Sequence, residues 1–202
     1  VNRKHWEDVY GKKSASEVSW TQASLDPSLR RIAAADLTPD AAIIDVGGGF
    51  SPLAGELAAM GYADITVLDI AQAALDSVAA GLGERSANVR LVQADVTAWR
   101  PDRAFALWHD RAVFHFLTDP DDRARYRAGL KSGLKPGGRL VMATFAPDGP
   151  ERCSNLPVQR WSAEALAAEL GQGFELIESE REEHRTPWGA VQPFTWTSFR
   201  RA

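Results

Sequence analysis

The spacing of apolar residues changes several times along the chain, and each change predicts an element. Ala41 to Val46 is a short continuous apolar run stopped by Gly47-Gly48-Gly49, the pattern of a buried parallel strand. Leu53, Leu57 and Met60 follow at helical spacing, with Gly61 as a C-terminal stop. Ile65 to Leu68 predicts a second strand, and Leu75, Val78, Ala79 and Leu82 mark one face of a second helix. Val89 to Val92 and Ala104 to Trp108 predict the third and fourth strands. At Asp119-Pro120 a helix is expected to begin, with Asp as the cap and Pro in the first turn. Tyr126, Leu130 and Leu134 form its apolar face, and Pro136-Gly137-Gly138 breaks it before a strand over Arg139 to Phe145.

The last third departs from this alternation. After a helix from Ser162 to Leu170, two strand-like segments, Phe174 to Ser179 and Phe194 to Phe199, follow with no helix between them. Adjacent strands joined by a Pro/Gly loop predict an antiparallel hairpin at one edge of a mostly parallel sheet. Repeated strand–helix units demand right-handed crossovers, hence an α/β, doubly wound sheet with helices on both faces. Residues 1–40, carrying Trp6, Tyr10 and Trp20, are expected to form a helical N-terminal cap.

At 202 residues the chain suits one α/β domain, read as the cap (1–40), a ligand-binding core (41–145) and a C-terminal helix with antiparallel strands (146–202). Composition is that of an ordinary globular protein, 45% hydrophobic and 25% charged. The net charge of -4 argues against a surface built to neutralise phosphates, so no nucleic-acid partner is expected. The lone cysteine, Cys153, makes no internal disulfide, which points to a reducing, cytoplasmic setting. No apolar run reaches membrane-spanning length, and the opening VNRKHWEDVY lacks a signal-peptide core, so no membrane association is expected. The four histidines show no metal-ligand spacing, and no metal is expected.

Ligands of open parallel sheets bind at the carboxyl ends of the strands, where strand order reverses. After the first strand, Asp45 leads into Gly47-Gly48-Gly49, a turn that opens directly into a helix and lets the backbone approach a ligand closely. A dinucleotide fingerprint would need glycine where Pro52 stands, which argues against a nicotinamide-dependent oxidoreductase. Asp69 closes the second strand 22 residues after Gly47, where a carboxylate can take both hydroxyls of a ribose. Ile70 offers a flat apolar face to a base. Asp95 and Val96, ending the third strand, can serve the exocyclic amine and ring nitrogen of an adenine. The outline is an adenosine without a pyrophosphate.

The runs IIDVGGGFSPLAGEL, VLDIA, VQADVTAW, FALWHDRAVFHFL and LKPGGRLVMATF resemble, in order and spacing, the class I S-adenosylmethionine (SAM)-dependent methyltransferases over residues 41–145. The resemblance implies a seven-stranded sheet, SAM as cofactor and S-adenosylhomocysteine (SAH) as product. It implies that Asp45 and the Gly47, Gly48 and Gly49 turn hold the methionine part, Asp69 the ribose, and Asp95 and Val96 the adenine. Trp20 and Asp110 complete the candidate cofactor contacts. Ser51 replaces the third glycine of the family's first motif. WHDRAVFHFL, GPERCSNLPV and the Trp-rich HWEDVY and EVSWTQ look like the thiopurine and thiol S-methyltransferase branch. The Trp-rich segment is equally similar to small protein-lysine methyltransferases acting on translation factors.

His109, Asp110 and Arg111 follow the expected fourth strand and are the catalytic candidates. Arg111 can orient an anionic acceptor or favour a thiolate, or only pair with Asp110 or Asp119. His109 can act as a general base, or merely pack. Trp6, Tyr10 and Trp20 can lie over a sulfonium, whose charge aromatic faces attract, or simply dock the cap. The run Glu178 to Glu183 reads as a solvated strand edge, and Cys153 as an ordinary free thiol in a polar loop. The acceptor expected is a small-molecule nucleophile with a lean toward sulfur; a lysine of a protein substrate and a catalytically silent partner protein are the alternatives.

Overall fold

The computed structural model describes residues 2–202; Val1 of the expected cap lies outside the described residues. Its strands are β1 (Ile43–Val46), β2 (Ile65–Asp69), β3 (Val89–Gln93), β4 (Phe105–Arg111), β5 (Leu134–Phe145), β6 (Arg152–Cys153), β7 (Leu156–Pro157), β8 (Phe174–Arg185) and β9 (Val191–Arg201). The helices are α1 (Arg3–Lys12), α2 (Asp26–Ala33), α3 (Leu53–Ala59), α4 (Gln72–Leu82), α5 (Pro120–Gly133) and α6 (Ala163–Leu170). Seven strands form one sheet in the order β3-β2-β1-β4-β5-β9-β8, and β6 and β7 form a separate short hairpin. β1 pairs in parallel with both β2 and β4, so strand order reverses between β1 and β4. Only β9 runs against its neighbours β5 and β8, giving the expected antiparallel edge.

Alternation along each strand divides the core between two faces. Ile43, Val67, Leu107 and Val141 point to the face covered by α2, α3 and α4. Ile44, Leu68, Trp108 and Met142 point to the face covered by α5 and α6. A third cluster, centred on Trp6, Val9 and Val18, docks α1 against the start of α4. Local signals account for the helix starts: Asp119 accepts from Asp121 N at 2.8 Å with Pro120 behind it, and Ser162 accepts from Ala165 N at 3.2 Å. Helix α4 has no such cap of its own, because Ala71 stands at the cap position. Glu7 of α1 supplies one from a distance, accepting from Gln72 N at 2.8 Å and Ala73 N at 3.2 Å.

Four strands, β4, β5, β8 and β9, are longer than expected. Leu134 ends no helix but begins β5, opposite Phe105. β8 and β9 are each roughly twice as long as their apolar patterns, because the charged run Glu178 to Glu183 stays in register with Ser198 through Pro193. Most consequentially, β4 does not stop at Trp108 but runs through Arg111.

Candidate active site

The extra length of β4 decides what its last residues can do. His109 pairs with Asp45 and Asp110 with Val46 across the β1–β4 seam, so the two side chains leave opposite faces. His109 and Arg111 emerge on one side, toward the cap. Asp110 emerges on the other, fully buried, and lines neither cavity at this end of the sheet. It accepts from Val113 N at 3.0 Å, Phe114 N at 3.2 Å and Tyr126 Oη at 2.7 Å, while Trp108 Nε1 donates to the same Tyr126 oxygen. Burial pushes its carboxyl up to about 6, and the hydrogen bonds oppose that only in part. Asp110 therefore fastens the turn after β4, and the two-residue period of a strand turns it away from both cavities, in contrast to the expectation that it faces cofactor or acceptor.

Two cavities meet above the strand ends. The larger, about 670 Å³ including its open mouth, is floored by Gly47, Asp69, Ile70, Asp95 and Val96 and roofed by Trp6, Tyr10 and Trp20. The smaller, about 500 Å³, lies between the Trp20–Leu25 segment and the glycine turn, with Asp45, Gly48 and His109 in its wall. Gly47, Trp20 and Arg111 belong to both. Gly47 has φ +70°, and a Cβ there would fall 2.1 Å from Val113 Cγ2. Gly49 lines neither cavity: a Cβ on it would lie 2.5 Å from Tyr10 Oη, and its N–H donates to Asp69 at 3.0 Å.

Asp69 is 4% exposed, and its two oxygens accept from Gly49 N and, at 2.9 Å, Ala71 N. Burial raises its carboxyl to about 6 against those bonds. Asp95 Oδ1 accepts from Thr97 N at 2.9 Å and Thr97 Oγ1 at 2.8 Å, which holds its turn at the cavity edge. Arg111 donates from Nη1 to Trp20 O at 2.8 Å, and its Cζ lies 4.8 Å from the Phe194 ring centre. Its Nε and Nη2 are buried without a partner among the described residues. Burial pushes the guanidinium down to about 10, with Glu182 and then Cys153 opposing. No pairing with Asp110 or Asp119 occurs. Gln22 Nε2, in the smaller cavity, is a second buried donor without a partner.

His109 has neither nitrogen free for an acceptor's proton: Nδ1 is 2.7 Å from Asp45 Oδ1 and Nε2 is 3.1 Å from Ser28 Oγ. His115 is no base either, since burial and then Arg111 push its imidazole down to about 3. Cys153 ends β6 rather than standing in a polar loop. It is 5% exposed in the wall of the larger cavity, and burial pushes its thiol up to about 11. Sequence reasoning missed Glu7, Gln22 and Ser28, polar residues in a stretch with no motif, whose meaning comes only from what the cap docks against.

A glycine turn at the β1–β4 reversal, a buried carboxylate ending β2 and an acidic turn ending β3 now sit around one cavity. Residues 43–138 match a family model described as a methyltransferase domain. The matched stretch is similar to a methyltransferase domain, and the fold is shared with SAM-dependent methyltransferases of known structure. A malonyl-[acyl-carrier protein] O-methyltransferase of Paenibacillus sp. (strain JDR-2) is 36% identical over 91 residues, covering 43% of this chain and 32% of the relative. The chain thus aligns with about a third of that relative's length. EEF1A lysine methyltransferase 2 of Homo sapiens is 24% identical over 191 residues, covering 87% of this chain and 75% of the relative. Among solved structures, a SAM-dependent methyltransferase from Anabaena variabilis superposes with a TM-score of 0.77 at 16% identity, covering 100% of this chain and 96% of the other. That likeness establishes the fold.

The residues present fit such a cofactor. The unpartnered Gln22 amide, in the wall of the smaller cavity, gives it a donor for a carboxylate.

Proposed function

We propose that the chain, acting as one unit, transfers the methyl group of SAM to an anionic small-molecule nucleophile, with a thiolate as the leading acceptor. The observation that carries this is the Arg111 guanidinium, buried at the junction of the two cavities with Nε and Nη2 unpartnered. A buried cation with free donors calls for an anion, since leaving it unpaired costs several kcal/mol by order of magnitude. It also repels an ammonium ion, which disfavours the lysine reading.

In this reading Asp69 takes the ribose, Ile70, Asp95 and Val96 enclose the adenine, and Trp20 covers the junction. The glycine turn and Asp45 lead the amino-acid tail into the smaller cavity, toward the Gln22 amide. Bound there, the cofactor supplies an electrophilic methyl on a sulfonium. The chain's own residues then orient the partners and exclude water. Trp6, Tyr10 and Phe116 wall the larger cavity, and Arg111 holds the acceptor as its anion. Neither His109 nor His115 is free to take the acceptor's proton, so an acceptor that ionises by itself suits the site better than one that needs a histidine base.

Arg111→Ala tests this. Calorimetry should show SAH affinity changed by less than about threefold, because the adenosine-facing residues lie on other strands. Thiol turnover at pH 7 should fall by about tenfold or more and recover toward pH 9, where a free thiol of pKa ~8.5 ionises without help. Arg111→Lys should restore only part, lacking the planar fork. Unchanged thiol turnover in Arg111→Ala, together with methyl transfer to a protein lysine, overturns the proposal in favour of the lysine acceptor.

A further inference from the structure

A buried chain of three polar side chains crosses from the cap to the glycine turn. Ser28 lies in the first turn of α2, His109 on β4 and Asp45 on β1, at 1%, 3% and 3% exposure. Asp45 Oδ1 is a carboxylate oxygen and can only accept, so the 2.7 Å contact places a proton on His109 Nδ1. In the neutral ring Nε2 is then the acceptor, and the Ser28 hydroxyl donates to it across 3.1 Å. The imidazole is thus fixed at both ends. The other Asp45 oxygen, Oδ2, lies 3.5 Å from where a Cβ on Gly48 would stand, in the wall of the smaller cavity.

We propose that His109, clamped by Ser28, is a positioning residue that holds the Asp45 carboxylate in place for the ammonium group of the cofactor's amino-acid tail. The proposal rests on the reading of the smaller cavity given above. The Nδ1–H bond occupies Oδ1 and so fixes which carboxylate oxygen faces the ligand. The hydroxyl of Ser28 fixes the ring plane, so docking of α2 and seating of the tail are linked through three side chains. The unpartnered donor of Gln22 stands in the same cavity, so the wall offers an anion to an ammonium and a neutral donor to a carboxylate. An α-amino acid group presents those two charges together.

Two ligands separate this role from ordinary packing. SAH carries the amino-acid tail, whereas 5′-methylthioadenosine carries the same nucleoside without it. By calorimetry, His109→Leu should weaken SAH by about tenfold or more and methylthioadenosine by less than about threefold, since only the former loses a hydrogen-bonded charge partner. His109→Asn, whose amide N–H reaches the place of Nδ1–H, should recover most of the SAH affinity. Ser28→Ala should weaken SAH a few-fold and leave methylthioadenosine unchanged; with His109→Asn it decides the matter if His109→Leu does not fold. Parallel loss of both ligands, or no loss of either, in Ser28→Ala and the His109 variants overturns the positioning role. If the wild type itself binds SAH no more tightly than methylthioadenosine, the tail reading of the cavity fails, and this proposal fails with it.

Discussion

Replacing Asp69 by Asn removes a charge while keeping shape, and the structure gives each consequence a size. Burial raises this carboxyl from an ordinary 3.8 to about 6, so holding it ionised costs the folded chain about 3 kcal/mol at ~1.4 kcal/mol per pH unit. Between about pH 4 and 6 the folded state binds more protons here than the unfolded state. Wild-type stability therefore falls as pH rises through that window and the loss is complete above about 6. Linkage places about 1.5 kcal/mol of that loss between pH 5 and pH 8. Asn does not titrate, but its NH₂ cannot accept, so one of the two backbone donors, Gly49 N or Ala71 N, is left unpaired at a cost of ~1–3 kcal/mol. That second cost is the same at both pH values. Asp110, raised by burial in the same way, is common to both proteins and cancels.

The expected result is therefore a difference of differences. The Tm of Asp69→Asn relative to wild type should improve by about 3–6 °C on going from pH 5 to pH 8. SAH affinity at pH 8 should nevertheless fall about 10- to 100-fold, because the ribose loses an ionised acceptor. Wild-type SAH binding should weaken below about pH 6 and the variant's should not. Scanning calorimetry at the two pH values and titration calorimetry with SAH measure both quantities. A Tm difference independent of pH refutes the desolvation argument, and unchanged SAH affinity refutes the ribose contact.

Tyr126→Phe keeps the ring but removes the donor to Asp110 and the acceptor of the Trp108 indole; it should cost ~1–3 kcal/mol in denaturant unfolding and leave SAH affinity unchanged. A fall in SAH affinity with intact stability would return Asp110 to the ligand site. Glu7→Ala uncaps α4 and frees Gln93 Nε2, 3.3 Å from the same carboxylate; it should lower stability by ~1 kcal/mol and speed SAH release in stopped-flow displacement. Release at the wild-type rate would show that the contact of Glu7 with α4 does not hold the Trp6 and Tyr10 roof over the larger cavity.

Legibility in the sequence follows the range of the forces involved. The strand–helix alternation, the Asp119-Pro120 and Ser162 starts and the glycine turn after β1 rest on period, capping and backbone freedom, all written within a few residues. So do the positions of Asp69, Asp95 and Val96 at strand ends, and all three do border one cavity. The end of β4 was different. Nothing in His109-Asp110-Arg111 itself says whether the strand continues; pairing with Val46 on one side and with Met142 and Ala143 on the other extends it. Alternation then sends Asp110 into the core and leaves His109 and Arg111 facing the cap. Charged β8 likewise persists as a strand because β9 supplies its partners.

The cap carried the least local information. Glu7 becomes the cap of α4, Ser28 the anchor of His109 and Gln22 a waiting donor only through contacts with residues from 65 to 86 positions further along the chain or with the cavity they enclose. A polar side chain takes its role from its partner. Periodicity can tell that such a residue is not in the core, but only the folded arrangement brings the partner to it.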